Sequence, residues 1–315
     1  MPGLPRVVVL GGSGFVGSHL TAALSAAAWR VFVVARSRAR ARHLLLLPTV
    51  EVIQGDPHDG AAMANLFRGA DAVINLIGIL NERAPRITFE RVHVELARNV
   101  VAACRTANVR RLLHMSALNA DRSGPSRYLK SKGEAEEIVM ASSLAWTIFR
   151  PSIIFGREDS FLNMFAKLMR HLPVIALAAP NARFQPVHVA DVVRCFVQAL
   201  ADDETIGKRF NLCGPKVYTL QNLVEYVGAV TGLRRPVIPL GPALSQLSAR
   251  VLELLPGPLM TRDNLASMQK DAVCNGALPS PFDYIPVELE AIAPLYLSPS
   301  AMHSKYDRMR ARSGQ

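Results

Sequence analysis

Arg6-Val7-Val8-Val9-Leu10-Gly11-Gly12-Ser13-Gly14-Phe15-Val16-Gly17 is the stretch whose reading decides the fold. Its apolar run is too short for a helix and lacks the alternation of a half-exposed strand, so it reads as a strand buried on both faces. Beyond it, Val16, Leu20, Ala23, Leu24 and Ala27 fall on one helical face, and a helix is expected over 14–28. A strand, a glycine turn and a helix in that order form the cradle of a dinucleotide pyrophosphate. Gly11 permits the tight turn, Gly14 lets the backbone approach the phosphates, and Gly17 lets helix and strand pack closely. The helix start, with Phe15 and Val16 in its first turn, offers unpaired N–H groups and the positive end of the helix dipole.

Outward from this stretch the pattern keeps alternating. Strands are expected at 31–35, 50–54, 72–77, 112–116 and 146–150, with helices at 61–67, 89–107 and 128–141. Such alternation predicts an α/β protein with a Rossmann-type, doubly wound parallel sheet covered on both faces. After Arg150-Pro151 the spacing is less regular. Helices are expected at 161–171, 191–201 (Asp191 as N-cap), 220–231 (ended by Gly232) and 244–255, and a strand at 209–212. The first domain is therefore placed at 1–155, with 184–213 returning to it, and a smaller C-terminal, substrate-type domain at 156–315.

Cofactor choice turns on the end of the second strand. An acidic side chain there accepts the ribose 2′-hydroxyl of NAD(H). In this chain Arg36 holds that position, Ser37 and Arg38 stand beside it, and no acid is near. A guanidinium forms charge-assisted hydrogen bonds with the 2′-phosphate of NADP(H), so NADP(H) is expected to be preferred, with NAD(H) as the alternative. Arg40 and Arg42 read as a solvated basic helix start. Asp56 either accepts from the adenine amino group or caps the next turn, and Asn75, Leu76 and Ile77 end the fourth strand where chain and cofactor come close.

Tyr128-Leu129-Lys130-Ser131-Lys132 is the second informative motif. At helical spacing Tyr128 and Lys132 share a face. The ammonium is expected to lower the phenol's pKa and to hold the nicotinamide ribose, and a tuned tyrosine can exchange the proton that accompanies hydride transfer. Ser116, at the end of the preceding strand, is the candidate to orient a substrate oxygen.

Together these residues resemble the extended short-chain dehydrogenase/reductase superfamily. The resemblance covers the glycine motif, Asp56, the Tyr128/Lys132 pair and the segment Arg150-Pro151-Ser152-Ile153-Ile154-Phe155-Gly156. It implies that Pro151, Ile153 and Ile154 lie beside the nicotinamide, and that 184–192 returns the chain to the first domain. Within that superfamily, 155–163, 128–134 and 260–265 resemble the nucleotide-binding accessory subunit family of respiratory complex I. The departures are that Ala117 and Leu118 follow Ser116 where active members carry Ser or Thr, with Ser123 and Ser126 as substitutes, and that His93 stands where many carry Asn. His93 reads as a buried histidine with a satisfied hydrogen bond. Two functions remain in view: an oxidoreductase or epimerase-like enzyme acting on a small molecule, and a non-catalytic NADP(H)-binding protein of a membrane-associated respiratory complex.

Composition narrows the rest. The chain has 315 residues, half of them apolar, and a formal charge of +11. No basic block is interleaved with aromatics, which argues against nucleic acid. Cys104, Cys195, Cys213 and Cys274 lack metal-site spacing and read as thiols in a reducing compartment, and no metal is expected. Met1 leads straight into the first strand without signal-peptide features, and no apolar run is long enough to span a bilayer, so the cytoplasm is expected. Leu244, Leu247, Val251, Leu252 and Leu255 recur at helical spacing, and the tail at 305–312 is basic. That helix either packs on its own domain or, with the tail, meets the inner face of the cytoplasmic membrane.

Overall fold

The computed structural model describes residues 3–253, 259–275, 278–282 and 284–298. The leading run is β1 (Arg6–Leu10), α1 (Phe15–Ala26), β2 (Arg30–Ala35), β3 (Val50–Gln54), α2 (Gly60–Phe67), β4 (Ala72–Asn75), α3 (Leu96–Thr106), β5 (Arg111–Met115), α4 (Arg127–Met140) and β6 (Ala145–Pro151). Then come β7 (Ile154–Phe155), α5 (Phe161–His171), β8 (Ile175–Leu177), β9 (Arg183–Phe184) and β10 (Val187–His188). After α6 (Val189–Ala201) and β11 (Lys208–Leu212) follow β12 (Tyr218–Thr219), α7 (Leu220–Thr231), β13 (Val237–Pro239), α8 (Pro242–Glu253), α9 (Arg262–Ser267), α10 (Leu289–Ile292) and α11 (Pro294–Leu297).

Two compact units result: Met1–Pro151 with Val189–Leu212 and Pro279–Asp283, and Ser152–His188 with Cys213–Leu278 and Tyr284–Gln315. The first is built on one seven-stranded sheet in the order β11-β6-β5-β4-β1-β2-β3. Every neighbouring pair in it is parallel. Val7 through Leu10 have no exposed surface, as a strand covered on both faces requires. One core cluster joins Val8, Leu10, Phe32 and Val73 of the sheet to Met63 and Phe67 of α2 and Leu96 and Val100 of α3. At the other end Phe149 of β6 meets Phe196 of α6 at 4.3 Å, and Phe210 of β11 and Phe282 each at 5.9 Å.

The second unit has its own core, in which Phe165 and Met169 of α5 face Leu223, Val224 and Val227 of α7. Its strands form three two-stranded pairs, β7 with β10, β9 with β12 and β8 with β13. Gly232 ends α7 at φ +70°, the left-handed conformation a helix C-terminus favours.

Three expectations need correction. Helix α6 starts at Val189, directly after β10, so Asp191 lies inside its first turn and is not the N-cap. The helix expected over 89–107 opens with a π-helical turn, Glu90–Glu95, before α3. Cys213 and Cys274 are not thiols but form a disulfide across 61 residues of sequence, while Cys104 and Cys195 are buried thiols. A buried glutamine explains the pairing: Gln185 donates from Nε2 to Gly214 O at 2.6 Å and accepts at Oε1 from Cys274 N at 2.9 Å. One amide thus holds both cysteine segments, a relation that sequence spacing does not show. Residues 254–258 and the basic tail at 305–312 lie outside the described residues.

Candidate nucleotide-binding site

The strand order reverses between β1 and β4, and in an open parallel sheet this is where a crevice forms beyond the strand ends. Gly11 follows β1 at φ +81°, with its Cα side against Ile77. A Cβ on Gly17 would lie 2.6 Å from Gly12 Cα and closer still to Gly11 O, so helix and turn touch backbone to backbone there. Gly14 differs. It is the N-cap of α1, and a Cβ on it would meet only Gly11 O, at 3.3 Å. The cradle is therefore open on the side where the helix points its first N–H groups. Gly12, which sequence reasoning left without a role, packs on Val33, whose Cγ1 a Cβ on Gly12 would meet at 2.8 Å; the doubled glycine was its only signal.

Beyond β2, Arg36 and Arg38 are exposed and Ser37 is half-buried. Neither guanidinium is hydrogen-bonded or ion-paired within the described residues. Arg38 begins a 3-10 run to Leu46, so Arg40 and Arg42 belong to a short helical turn. Asp56 is exposed and accepts from His58 N at 3.0 Å, which is the capping geometry. At the end of β4, Asn75 is buried, accepts from Ile77 N at 3.2 Å and approaches His114 Nδ1 at 3.3 Å. Leu76 donates its N–H to Leu10 O, tying that loop to β1.

Ser126 caps α4, so its hydroxyl is engaged with Leu129 N, and Ser123 is exposed. One and two turns along, Tyr128 and Lys132 share a face. Lys132 is buried and donates from Nζ to Met115 O at 3.2 Å. A Cβ on Gly78 would lie 3.0 Å from that nitrogen, so glycine is what makes room for it. Burial lowers the Lys132 pKa to about 8, against the raising effect of Glu136. Burial also pushes the Tyr128 phenol up, the reverse of the direction expected from a neighbouring ammonium. Phe89 and His93 pack edge-on against Tyr128, at 5.9 and 5.7 Å. His93 accepts from Ile79 N at Nε2 and meets Ser131 Oγ at 2.8 Å through Nδ1, while Ser131 donates to Tyr128 O. Burial first, and Lys132 second, hold His93 neutral with a pKa of about 2.

Ser116 sits just past β5, buried, and its Oγ has no hydrogen-bond partner among the described residues. His114 Nε2 is orphaned in the same way, and burial lowers that ring's pKa to about 3. Nothing in the sequence marks His114 except its place two residues before Ser116. The glycine turn, Arg36, Asp56, Asn75, Ser116 and Lys132 all stand at or just beyond the C-terminal ends of their strands or face them. Pro151 closes β6 in the first unit, whereas Ile153 and Ile154 belong to the second, where Ile154 pairs with Val187. An open glycine cradle, an unpaired arginine beyond β2 and an orphaned serine hydroxyl are what a dinucleotide would use, so the residues present fit that ligand.

A family model described as NAD(P)H-binding matches residues 11–162. The chain is 32% identical over 295 residues to mouse (Mus musculus) "NADH dehydrogenase (ubiquinone) 1 alpha subcomplex subunit 9, mitochondrial", covering 90% of this chain and 78% of that one. It is 32% identical over 185 residues to the "Ceramide reductase" of Caulobacter vibrioides, covering 59% of this chain and 57% of that one. Among solved structures, a UDP-N-acetylglucosamine 4-epimerase from Methanobrevibacter ruminantium superposes with a TM-score of 0.71 at 15% identity, over 96% of this chain and 99% of that one, a likeness of fold. With its NAD(P)H-binding domain and a match along nearly its whole length, the chain belongs to the family of the alpha subcomplex subunit 9 of NADH dehydrogenase.

Proposed function

We propose that the first unit holds NADP(H) in preference to NAD(H), and that the chain is a non-catalytic nucleotide-binding accessory protein of a membrane-associated respiratory complex. Its place is then the cytoplasm, peripheral at the inner face of the membrane. Arg36 carries the cofactor choice: an exposed, unpaired guanidinium beyond β2, where an acid would serve NAD(H). The relatives named for a respiratory complex support the accessory role. In this reading the turn from Gly11 to Gly17, with Phe15 and Val16, receives the pyrophosphate. Arg36, Ser37 and Arg38 receive the 2′-phosphate, Asp56 and the Asn75–Ile77 segment flank the adenosine, and Lys132 donates to the nicotinamide ribose.

Calorimetry tests the choice. NADPH should bind more tightly than NADH, and Arg36→Ala should cost about 1.5–3 kcal/mol for NADPH and little for NADH, as for a charged hydrogen bond. Equal affinities of the wild-type protein for the two would refute it.

A second reading is favoured by the orphaned Ser116 hydroxyl. There the protein is an oxidoreductase or epimerase-like enzyme acting on a small molecule. The bound nicotinamide supplies the hydride chemistry. Ser116 orients the substrate oxygen, Tyr128 gives or takes its proton, and Lys132 positions the ribose. Tyr128→Phe then removes turnover while cofactor affinity stays, because only the proton-handling oxygen is lost.

A further inference from the structure

Helix α8 in the second unit is inside out. Its buried positions are the small residues Ser245 and Ala249, while Leu244, Leu247 and Val251 are 56%, 56% and 57% exposed. Those three lie at i, i+3 and i+7, one aliphatic stripe along a twelve-residue helix. An ordinary surface helix does the opposite, turning its aliphatic stripe to the core. Ile238 of β13, four residues before the helix starts, is 51% exposed as well.

The sequence around it is poor in acids, which are confined to Glu253 at its end and Asp263 of α9, the helix that packs on it. No Asp or Glu occurs between Asp159 and Asp191, nor between Glu225 and Glu253, whereas Arg234, Arg235 and Arg250 fall in the second of these gaps. Arg234 and Arg250 are exposed and carry no ion pair within the described residues. Arg235 donates to Met169 O at 3.1 Å, which fixes the arginine pair beside the end of α5. Glu253, the first acid after the stripe, is already held by Arg262 at 2.8 Å. Two copies of this face would bring like charges together, and Glu253, already paired with Arg262, would not neutralise them. Exposed aliphatics with an unpaired arginine, Arg250, on the same helix are instead complementary to lipid tails under anionic headgroups.

We propose that the α8 face, with Ile238 and the flanking Arg234 and Arg250, lies on an anionic bilayer, Leu244, Leu247 and Val251 entering the interface. The proposal rests on the peripheral placement given above and is independent of nucleotide binding.

Flotation of the full chain with vesicles tests it. Phosphatidylcholine vesicles containing phosphatidylglycerol should carry the wild-type protein at low salt, and far less at high salt or with phosphatidylcholine alone. Leu244→Asp with Leu247→Asp should reduce flotation by roughly tenfold or more, since each removes an inserted aliphatic side chain. Both positions are exposed, so melting temperature and NADPH affinity should stay those of wild type. Arg234→Glu with Arg250→Glu should remove the difference between the two lipids. Wild-type flotation that the leucine variant retains would overturn the α8 assignment and leave the peripheral placement standing. No wild-type flotation would overturn both. A wild-type dimer lost in the leucine variant would make the occupant a second copy, and capture only by an acidic protein would make it a protein; either outcome overturns the bilayer.

Discussion

Glycines 14 and 17 lie one helical turn apart and should fail in different ways when replaced. Gly17→Ala forces a Cβ into the Gly12 and Gly11 backbone, which cannot yield, so a thermal melt should show a loss of about 3 kcal/mol, as for overpacking of a tight core. Gly14→Val meets little protein and should cost about 1 kcal/mol at a helix N-cap, yet abolish binding of either nucleotide by occupying the pyrophosphate's space. Retained binding would put the nucleotide elsewhere. Lys132 makes a pH prediction with two signs. Its pKa is about 8 when folded and 10.5 by its ordinary value, so the unfolded chain binds more protons between those limits. Its burial therefore costs stability below pH 8, and stability rises with pH from about 8 to 10.5. NADPH affinity should run the other way, falling above pH 8 as the donating ammonium is lost. Lys132→Met should flatten both curves. The Gly11-Gly14-Gly17 pattern was legible because each glycine answers a local backbone demand. The raised phenol of Tyr128 was not, because it depends on Phe89 and His93, which only the fold brings to it.

Between elements, α4 is fastened to the sheet by charge as well as by apolar packing. Glu136 is 1% exposed and is bound by Arg150 of β6 through both its oxygens, with Arg209 of β11 at 3.6 Å. Removing the carboxylate leaves the mostly buried Arg150 side chain without its counter-ion, so Glu136→Ala should destabilise by about 3–5 kcal/mol in a denaturant melt. Combining Glu136→Leu with Arg150→Met should recover much of that loss, because no orphaned charge remains. If the double variant is as unstable as the single, the pair is not what holds α4. The strands of the first unit were legible as short apolar runs, and α5 and α7 as amphipathic periods closed by clear stops. Hidden were the features set by contacts distant in sequence: the π-helical turn at Glu90–Glu95, and the Cys213–Cys274 link, which needs Gln185 to bring its two segments together.

At the scale of the whole molecule, the chain leaves the first unit at Pro151 and returns to it twice, at Val189–Leu212 and at Pro279–Asp283. The earlier return has a sequence signal, the amphipathic α6 followed by a short strand. The later one has none, because Phe282 is recognisable only by the aromatic cluster it completes with Phe149 and Phe210. A fragment of residues 1–151 should accordingly be poorly soluble and bind NADPH weakly, which a pull-down on immobilised nucleotide would register; a soluble fragment with full affinity would show the returning segments to be dispensable. Biosynthesis meets the same arrangement as a delay. A ribosome adds about 5–20 residues per second, so on the order of ten seconds separate the emergence of β6 from that of Phe282. For the first part of that interval, until β11 emerges, the nascent sheet offers an unpaired β6 edge, and Phe149 stays incompletely covered until Phe282 arrives; both features invite a strand from another chain. Chaperone demand during translation should therefore be concentrated on this one edge, and moving β11 forward in the gene, by circular permutation, should relieve it.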